Sequence, residues 1–155
     1  MLNKALLITI ISLTFVGCAS VNMESVDRSN LAKEFNAPAD NQSGLYIYRS
    51  GVLGSALKKD VWVDESCVGE TAPNVFFYTE VPCNESLKVS TESEFSPNDL
   101  LISTECGKNY FLSQYIKFGF FVGGAGLEQV SEEKGKKEVE KLEMAKAGSC
   151  SSSYK

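Results

Sequence analysis

Short apolar segments separated by turn residues make up most of the chain after residue 44. Apolar and polar residues alternate in several of them, most regularly at 87–91 and 110–118. A period of two indicates a strand with one buried face, and the Gly, Pro, Asn and Asp residues between the segments are typical of turns. This pattern predicts a mainly β protein, a small antiparallel β-sandwich of about seven or eight strands with a short C-terminal helix.

The predicted strands follow one another at about ten-residue spacing, as in many β-sandwiches. They lie at residues 45–49, 57–64, 67–69, 74–81, 87–91, 100–104, 110–118 and 127–130. Gly107 begins a tight turn before the seventh of these strands, and a glycine supplies the positive φ that such a turn needs. We therefore expect the strands on either side of Gly107 to form a hairpin.

The C-terminal helix is predicted from a cap and an apolar stripe. Ser131 is a favourable N-cap and is followed by two glutamates, which suit the positive end of a helix. Val139, Leu142 and Ala145 recur at three-residue spacing and form a thin apolar face that can pack on the sandwich. Gly135 weakens this helix by about 1 kcal/mol relative to alanine.

The first 17 residues have the organisation of an export signal. Lys4 precedes a mainly apolar segment at 5–16, which is too short to cross a hydrocarbon core of ~30 Å as a helix. Cys18 directly follows the small residue Gly17, which resembles the lipobox of bacterial lipoproteins, although Phe15 departs from the usual leucine. The resemblance implies that diacylglycerol is attached to the thiol of Cys18, that the chain is cut before it, and that the new amino terminus is acylated.

An ordinary secretory signal followed by a chance cysteine is the alternative to lipidation. If Cys18 is lipidated, the following residue also matters, because an aspartate there resembles an inner-membrane retention signal. This chain has Ala19 instead. The resemblance therefore implies an outer-membrane lipoprotein that faces the periplasm.

These features divide the chain into four parts. Residues 1–17 are predicted to be a lipoprotein signal peptide, 18–43 a lipid-anchored polar tether, 44–150 the β-sandwich domain and 151–155 a frayed tail. The tether is rich in Asn, Ser and Asp, a composition typical of linkers. Within it, Ser29 is predicted to cap a short helix that runs to Phe35.

Charge limits the partners of the mature chain. Because the leader contributes Lys4 alone, the mature chain has 14 basic and 20 acidic side chains and a formal net charge of −6. An acidic chain is a poor nucleic-acid partner, since such binding requires clustered Lys and Arg. It is equally unsuited to electrostatic docking on anionic lipid, so the acyl chains at Cys18 are expected to be the membrane anchor.

The sequence contains no histidine. This excludes Ser-His-Asp and Cys-His catalysis and every zinc site that uses an imidazole ligand. Lys117 could be proposed as an acid–base partner of Glu92 or Asp99. The spacing of these residues in the sequence gives no support for such a pair. We therefore expect no enzymatic activity, no cofactor and no metal.

Four cysteines follow Cys18, and an even number in an exported chain predicts two disulfides. Their separations of 16, 23 and 44 residues contain no close Cys-x-x-Cys pair of the kind that binds zinc. Three pairings exist for four cysteines. Cys83 follows one predicted strand and Cys106 ends another, which predicts a Cys83–Cys106 bridge and leaves Cys67 to hold the tail at Cys150.

Two further patterns, one resembling a cation site and one resembling glycosylation acceptors, are interpreted as solvent-exposed residues without such a function. Oxygen-bearing side chains at 91–96 and Asp99 resemble cation ligands, but the compact Asp/Asn-rich loop that calcium prefers is missing, so a solvated strand edge is expected. Asn41 and Asn84 begin Asn-x-Ser patterns. In a chain with a bacterial lipobox, both are expected to be turn residues.

The segment at 118–126 is unusual because large apolar residues stand among four glycines. One interpretation is a bulged strand that covers the core; the other is an exposed apolar loop that contacts a partner or the membrane. We expect a split, with Phe118 and one of Phe120 and Phe121 buried and the glycine-rich tip exposed. The candidate partner-contact residues are Phe120, Phe121, Val122, Gly123 and Gly124.

Several short motifs, in their order along the chain, resemble the family catalogued as domain of unknown function 2846. The motifs lie at 44–49, 54–57, 60–64, 69–70, 91–95, 107–111 and 123–124, and the resemblance covers roughly residues 44–147. It implies a small β-rich domain, often in secreted or lipid-anchored bacterial proteins. It supplies no catalytic residue.

Two functions are compatible with these features. The first is a non-enzymatic, lipid-anchored envelope protein that binds or supports an envelope protein partner. The second is a small-ligand carrier with a cleft between the sheet and the C-terminal helix, lined by Tyr46, Tyr48, Tyr110 and Phe118. An exposed apolar patch favours the first function and a sizeable cavity favours the second.

Overall fold

The structure, a computed structural model, describes residues 18–121 and 123–154. The predicted signal peptide and Val122 lie outside the described residues. Nine strands form two sheets, which confirms the mainly β two-sheet prediction. In chain order the elements are α1 (Val26–Ala32), β1 (Gln42–Arg49), β2 (Lys59–Val63), β3 (Ser66–Thr71), β4 (Val75–Pro82), β5 (Ser86–Thr91), β6 (Asn98–Ser103), β7 (Asn109–Lys117), β8 (Gly124–Val130), α2 (Glu132–Val139) and β9 (Glu143–Met144).

The two sheets enclose an apolar core. The five-stranded sheet has the order β8-β7-β1-β4-β9 and the four-stranded sheet the order β3-β2-β5-β6. Period-two alternation aims one face of each strand at the other sheet, so buried aliphatic side chains and Phe77 meet between them. Central members of this core are Leu45, Ile47, Val61, Leu87, Val89, Ile102 and Leu112.

Two strand pairings are parallel, which the all-antiparallel prediction did not include. β1 pairs with β7 in parallel, and the short β9 pairs in parallel with β4. The expected hairpin at Gly107 is wrong, because β6 and β7 belong to different sheets. Gly107 does have a positive φ of 77°, but its turn carries the chain from one sheet to the other.

A second layer covers the outer face of the five-stranded sheet. The aromatic side chains of Tyr46, Tyr48, Phe76 and Phe111 point outward from this sheet and are buried with Val139 beneath the helical segments. Tyr46 stacks on Phe111, with ring centroids 4.8 Å apart. The five-stranded sheet is therefore buried on both faces, which explains its continuous apolar runs.

The C-terminal helix α2 begins where the cap predicted. The Ser131 hydroxyl accepts a hydrogen bond from the Lys134 N–H at 3.3 Å. Of the three residues of the predicted apolar stripe, Val139 alone lies in the helix. Leu142 and Ala145 are buried, but they follow the end of α2. Ala145 reaches the core between the sheets because the chain returns there along β9.

Part of the predicted tether packs on the domain. Helix α1 is capped by Ser25 rather than Ser29, and Ser29 is buried inside the helix. The Ser29 hydroxyl donates to the Glu143 carboxylate at 3.0 Å, and Lys33 forms an ion pair with Glu143 at 3.1 Å. The cap lies one turn earlier than predicted because Ser29 is used to join α1 to β9. Within the described residues, neither helix is long and apolar enough to cross a membrane.

Candidate functional site

Three loops lie together at one end of the sandwich, and we call this the loop end. They are the β1–β2 loop (50–58), the β5–β6 loop (92–97) and the β7–β8 loop (118–123). β1 and β7 run parallel and both finish at this end. The two sheets are joined here, because Ala125 N–H donates to the Glu92 carbonyl at 3.1 Å and the Asn98 side-chain amide donates to the Ala125 carbonyl.

A buried polar cluster forms the floor of the loop end. Gln114 of β7 is 1% exposed, and its amide donates to the Thr91 hydroxyl at 2.6 Å. Its carbonyl oxygen accepts from the Thr71 hydroxyl of the opposite sheet. These paired groups fix the distance between the sheets beneath the loops, since an unpaired buried amide is costly.

Arg49 shapes the β1–β2 loop. Its side chain is 2% exposed, and its guanidinium donates to the carbonyls of Gly54 at 2.6 Å, Leu57 at 2.7 Å and Leu53 at 3.3 Å. Burial lowers the pKa of Arg49 from its usual value. With the loop carbonyls turned inward to this cation, Val52 and Leu53 are left 80% and 54% exposed.

Glu94 holds the β7–β8 loop in place. Its carboxylate accepts hydrogen bonds from the consecutive backbone N–H groups of Phe120, at 2.6 Å, and Phe121. The two rings pack edge to face, with centroids 4.8 Å apart. Because one carboxylate binds both backbone groups, the loop is held against its neighbour while the rings project outward.

All three phenylalanines of this loop are exposed, so the predicted split is wrong. Phe118, Phe120 and Phe121 are 89%, 85% and 79% exposed. The alternation of β7 ends with the Lys117–Gly124 pair, and Phe118 therefore lies beyond the sheet.

The glycines have the opposite placement to the one predicted. Gly123 is half-buried, and Gly124 is buried as the first residue of β8. A Cβ at Gly123 would lie 2.7 Å from the Leu57 side chain, and one at Gly124 would lie 2.7 Å from Ser93 Oγ. A larger residue at either position would require the Leu57 or Ser93 side chain to move, so the two glycines favour the close approach of the three loops. Among the proposed contact residues, Phe120 and Phe121 are available to a partner, whereas Gly124 is not.

Six large apolar side chains are exposed on the three loops. The described residues expose eleven such side chains in all, so more than half of them are concentrated at one end. The six are Val52, Leu53, Phe95, Phe118, Phe120 and Phe121. A concentration of this kind on a small domain indicates a contact surface.

Cys18 lies at the same end. It is exposed and is the free cysteine of the described chain. The N–H of the next residue, Ala19, donates to the Ser55 carbonyl of the β1–β2 loop at 2.8 Å. A group attached to the Cys18 thiol would thus emerge beside the apolar loops.

The two disulfides have the pairing expected from the sequence. Cys83 and Cys106 are bonded with their Cα atoms 4.8 Å apart, at the end of the sandwich opposite the loop end. Cys67 and Cys150 are bonded with a Cα separation of 6.0 Å. This second bridge attaches the C-terminal tail to β3.

Asp60 was not identified from the sequence and orders the tail predicted to fray. Its carboxylate is fully buried and accepts from the backbone N–H and hydroxyl groups of both Ser151 and Ser152, at 2.9–3.0 Å. Tyr154 then packs edge-on against Trp62. An acidic residue directly before the apolar residues of β2 was the only sequence signal, and the partners are about 90 residues away.

The cleft predicted for a small-ligand carrier does not form. Tyr46 and Tyr48 are buried on the outer face of the five-stranded sheet, whereas Tyr110 packs against the core between the sheets. Phe118 is exposed at the loop end. The four side chains lie in three different environments, because neighbouring positions on a strand face opposite sides.

The other polar residues singled out have structural partners. Glu92 pairs with Lys59 at 3.6 Å, Asp99 accepts from the Ser90 hydroxyl at 2.6 Å, and Lys117 lies over the Tyr115 ring. Among residues 18–121 and 123–154, no group of three or more Cys, Asp or Glu side chains is arranged to hold a metal ion.

Comparison with known proteins finds similar sequences. Residues 39–125 match the model of the family described as protein of unknown function (DUF2846). An uncharacterised protein of Haemophilus influenzae is 58% identical over 135 residues, which cover 87% of this chain and 80% of that protein. No solved structure matches the chain.

Proposed function

The chain belongs to the DUF2846 family of proteins of unknown function, and from this premise we propose that it is a non-enzymatic, lipid-anchored envelope protein whose loop end is its contact surface. It is attached through Cys18 to the outer membrane, faces the periplasm, and serves as a binding or structural module. The observation that carries this proposal is the placement of the exposed Cys18 beside three loops with exposed apolar side chains.

The charged groups at this end support a structural role. Arg49 binds the carbonyls of one loop, Glu94 binds the N–H groups of another, and Asp60 binds the tail. Each is occupied in holding backbone, and the sequence has no histidine to act as a general base near neutral pH. A scaffold for contact is favoured over a reaction centre.

Metabolic labelling with palmitate tests the anchor. We expect label in the wild-type chain and in Ser20→Ala, a control two residues from the attachment point, and none in Cys18→Ala. Equal labelling of all three proteins would contradict lipidation at Cys18.

Membrane fractionation tests the location. With Ala19 after the cysteine, the labelled protein should sediment with the outer membrane, and Ala19→Asp should move it toward the inner membrane. Recovery of the wild-type protein in the inner-membrane fraction would contradict this part of the proposal.

A further inference from the structure

We propose that the surface contacted by the loop end is the lipid bilayer itself. Val52, Leu53, Phe95, Phe118, Phe120 and Phe121 would enter the interfacial region next to the acyl chains on Cys18, so that the sandwich stands end-on at the membrane. This inference rests on the proposed lipidation of Cys18 and names the partner of the same surface.

The attachment point and the apolar loops form one continuous structure. The Ala19–Ser55 hydrogen bond joins the start of the mature chain to the β1–β2 loop. That loop contacts the β7–β8 loop, where Gly123 approaches Leu57. Glu94 then joins the β7–β8 loop to the β5–β6 loop. Acyl chains on Cys18 would therefore hold these loops close to the lipid.

The chemistry of the loops suits the interface between lipid and water. Interfacial segments bury phenylalanine and leucine about 5–10 Å into the boundary between headgroups and acyl chains. Four of the six side chains are phenylalanines on loop tips. The backbone N–H groups of Phe120 and Phe121 are already bonded to Glu94. Moving these tips out of water therefore leaves those two donors paired.

The acyl chains on Cys18 would anchor one point of the chain, and further contacts are needed to orient the domain on the membrane. The mature chain is acidic, so attraction to anionic headgroups contributes nothing to its binding. Lipid chains together with inserted apolar side chains provide two independent signals without any basic patch. Attachment at Cys18 also raises the local concentration of lipid around the loops, so modest apolar contacts are sufficient to orient the domain.

Quenching by brominated lipid tests the insertion. The full chain is expressed with its own signal peptide, purified in lipidated form and placed in phosphatidylethanolamine–phosphatidylglycerol vesicles that contain bromine-labelled phosphatidylcholine. Tryptophan is introduced by Phe120→Trp or Phe95→Trp. Leu101→Trp is the matched control, because Leu101 is also apolar and exposed but lies on the side of β6, and Lys108→Trp marks the opposite end. The buried Trp62 gives the background in the wild-type protein.

We expect strong quenching of the tryptophans from Phe120→Trp and Phe95→Trp, weak quenching from Leu101→Trp and none from Lys108→Trp. A second set of variants separates insertion from mere tethering. In the Phe95→Trp protein, replacing Phe118, Phe120 and Phe121 by serine should reduce the quenching severalfold, since the remaining loop no longer holds position 95 in the lipid. Unchanged quenching would show that the acyl chains alone bring the loops near lipid, and would overturn the inference.

Mass spectrometry of the same samples separates this inference from the proposed function. A fully lipidated protein without loop quenching overturns membrane docking and leaves the lipid anchor in place. A protein that has no lipid at Cys18 overturns the anchor. An intact leader together with loop tryptophans that the brominated lipid does not quench would assign the surface to residues 1–17 and overturn docking.

Photo-crosslinking in intact cells decides between lipid and protein as the occupant. With p-benzoylphenylalanine at position 120, a lipid adduct supports membrane docking. A discrete protein adduct, or an adduct between two copies of this chain, assigns the surface to a protein contact and overturns it.

Discussion

At the residue scale, the buried charges of Arg49 and Asp60 hold segments of chain in place and, among the described residues, are not paired with an opposite charge. Arg49 binds three carbonyls of the β1–β2 loop, and Asp60 accepts four hydrogen bonds from the tail. A buried charge is tolerated when donors or acceptors replace its lost water. Each of these side chains thereby orders a segment that has little apolar burial of its own.

Tyr78 gives the domain a predictable sensitivity to alkali. Burial raises the pKa of Tyr78 to about 12 from its ordinary value of 10.0, and the hydrogen bond to Glu80 and the negative charge of Glu80 add to the effect. A raised pKa means that the folded state favours the neutral phenol. The resulting stability is fully present below pH 10 and is lost as the pH rises from about 10 to about 12.

Urea unfolding at about pH 9 and about pH 11.5 measures this effect. We expect Tyr78→Phe to lose less stability between the two pH values than the wild type, whereas the control Tyr115→Phe, at an exposed position, should behave like the wild type. Equal losses in all three proteins would contradict the assignment to Tyr78.

At the element scale, α2 can approach the sheet because of a single missing side chain. A Cβ at Gly135 would lie 2.2 Å from Cγ of Phe111, whose ring is buried against Tyr46. From the sequence, Gly135 was only a helix-weakening residue. The contact shows why a glycine occupies the buried face of this helix.

Gly135→Ala should therefore destabilise the domain. Alanine gains about 1 kcal/mol in helix propensity, but overpacking against a buried ring typically costs about 1–3 kcal/mol. Here Cβ and two ring atoms of Phe111 lie closer than any real Cβ contact, so the cost should prevail. Chemical denaturation measures the change, with Lys137→Ala on the exposed face of α2 as the control. A stabilised Gly135→Ala protein would contradict the close contact, and partial recovery by adding Phe111→Leu would support it.

At the scale of the whole molecule, the two disulfides secure different parts of the chain. The Cys67–Cys150 bridge closes a separation of 83 residues and attaches the tail, whereas Cys83–Cys106 closes 23 residues at the end away from the loops. On the chain-entropy model the longer loop contributes about 4–5 kcal/mol and the shorter about 3 kcal/mol. The order of the two effects can be tested.

We expect Cys67→Ser/Cys150→Ser to lower the free energy of unfolding more than Cys83→Ser/Cys106→Ser. The tail should enlarge this difference. Without the Cys67–Cys150 bridge the tail can detach, and the buried Asp60 carboxylate then loses the donors of Ser151 and Ser152, which lowers stability further. Chemical denaturation of both double variants under oxidising conditions measures it. A smaller effect of the longer bridge would show that the tail stays ordered without it.

The sequence by itself determined the features that depend on neighbouring residues or on counting. Period-two alternation predicted the two-sheet β architecture, Ser131 predicted the start of α2, and the cysteine arithmetic with strand positions predicted both bridges. These signals are local, because a strand, a helix cap or a cysteine at a strand end can be recognised from a few neighbouring residues.

Only the tertiary structure decided which distant segments meet. It placed β7 parallel to β1, left Phe118, Phe120 and Phe121 outside the sheet, and brought Ala19 to Ser55. An apolar side chain has the same local pattern whether it is buried or exposed at a loop tip, since burial depends on what packs above it. The loop end and its attachment point exist because three loops and the segment at Cys18 and Ala19, far apart in sequence, lie on the same side of one core.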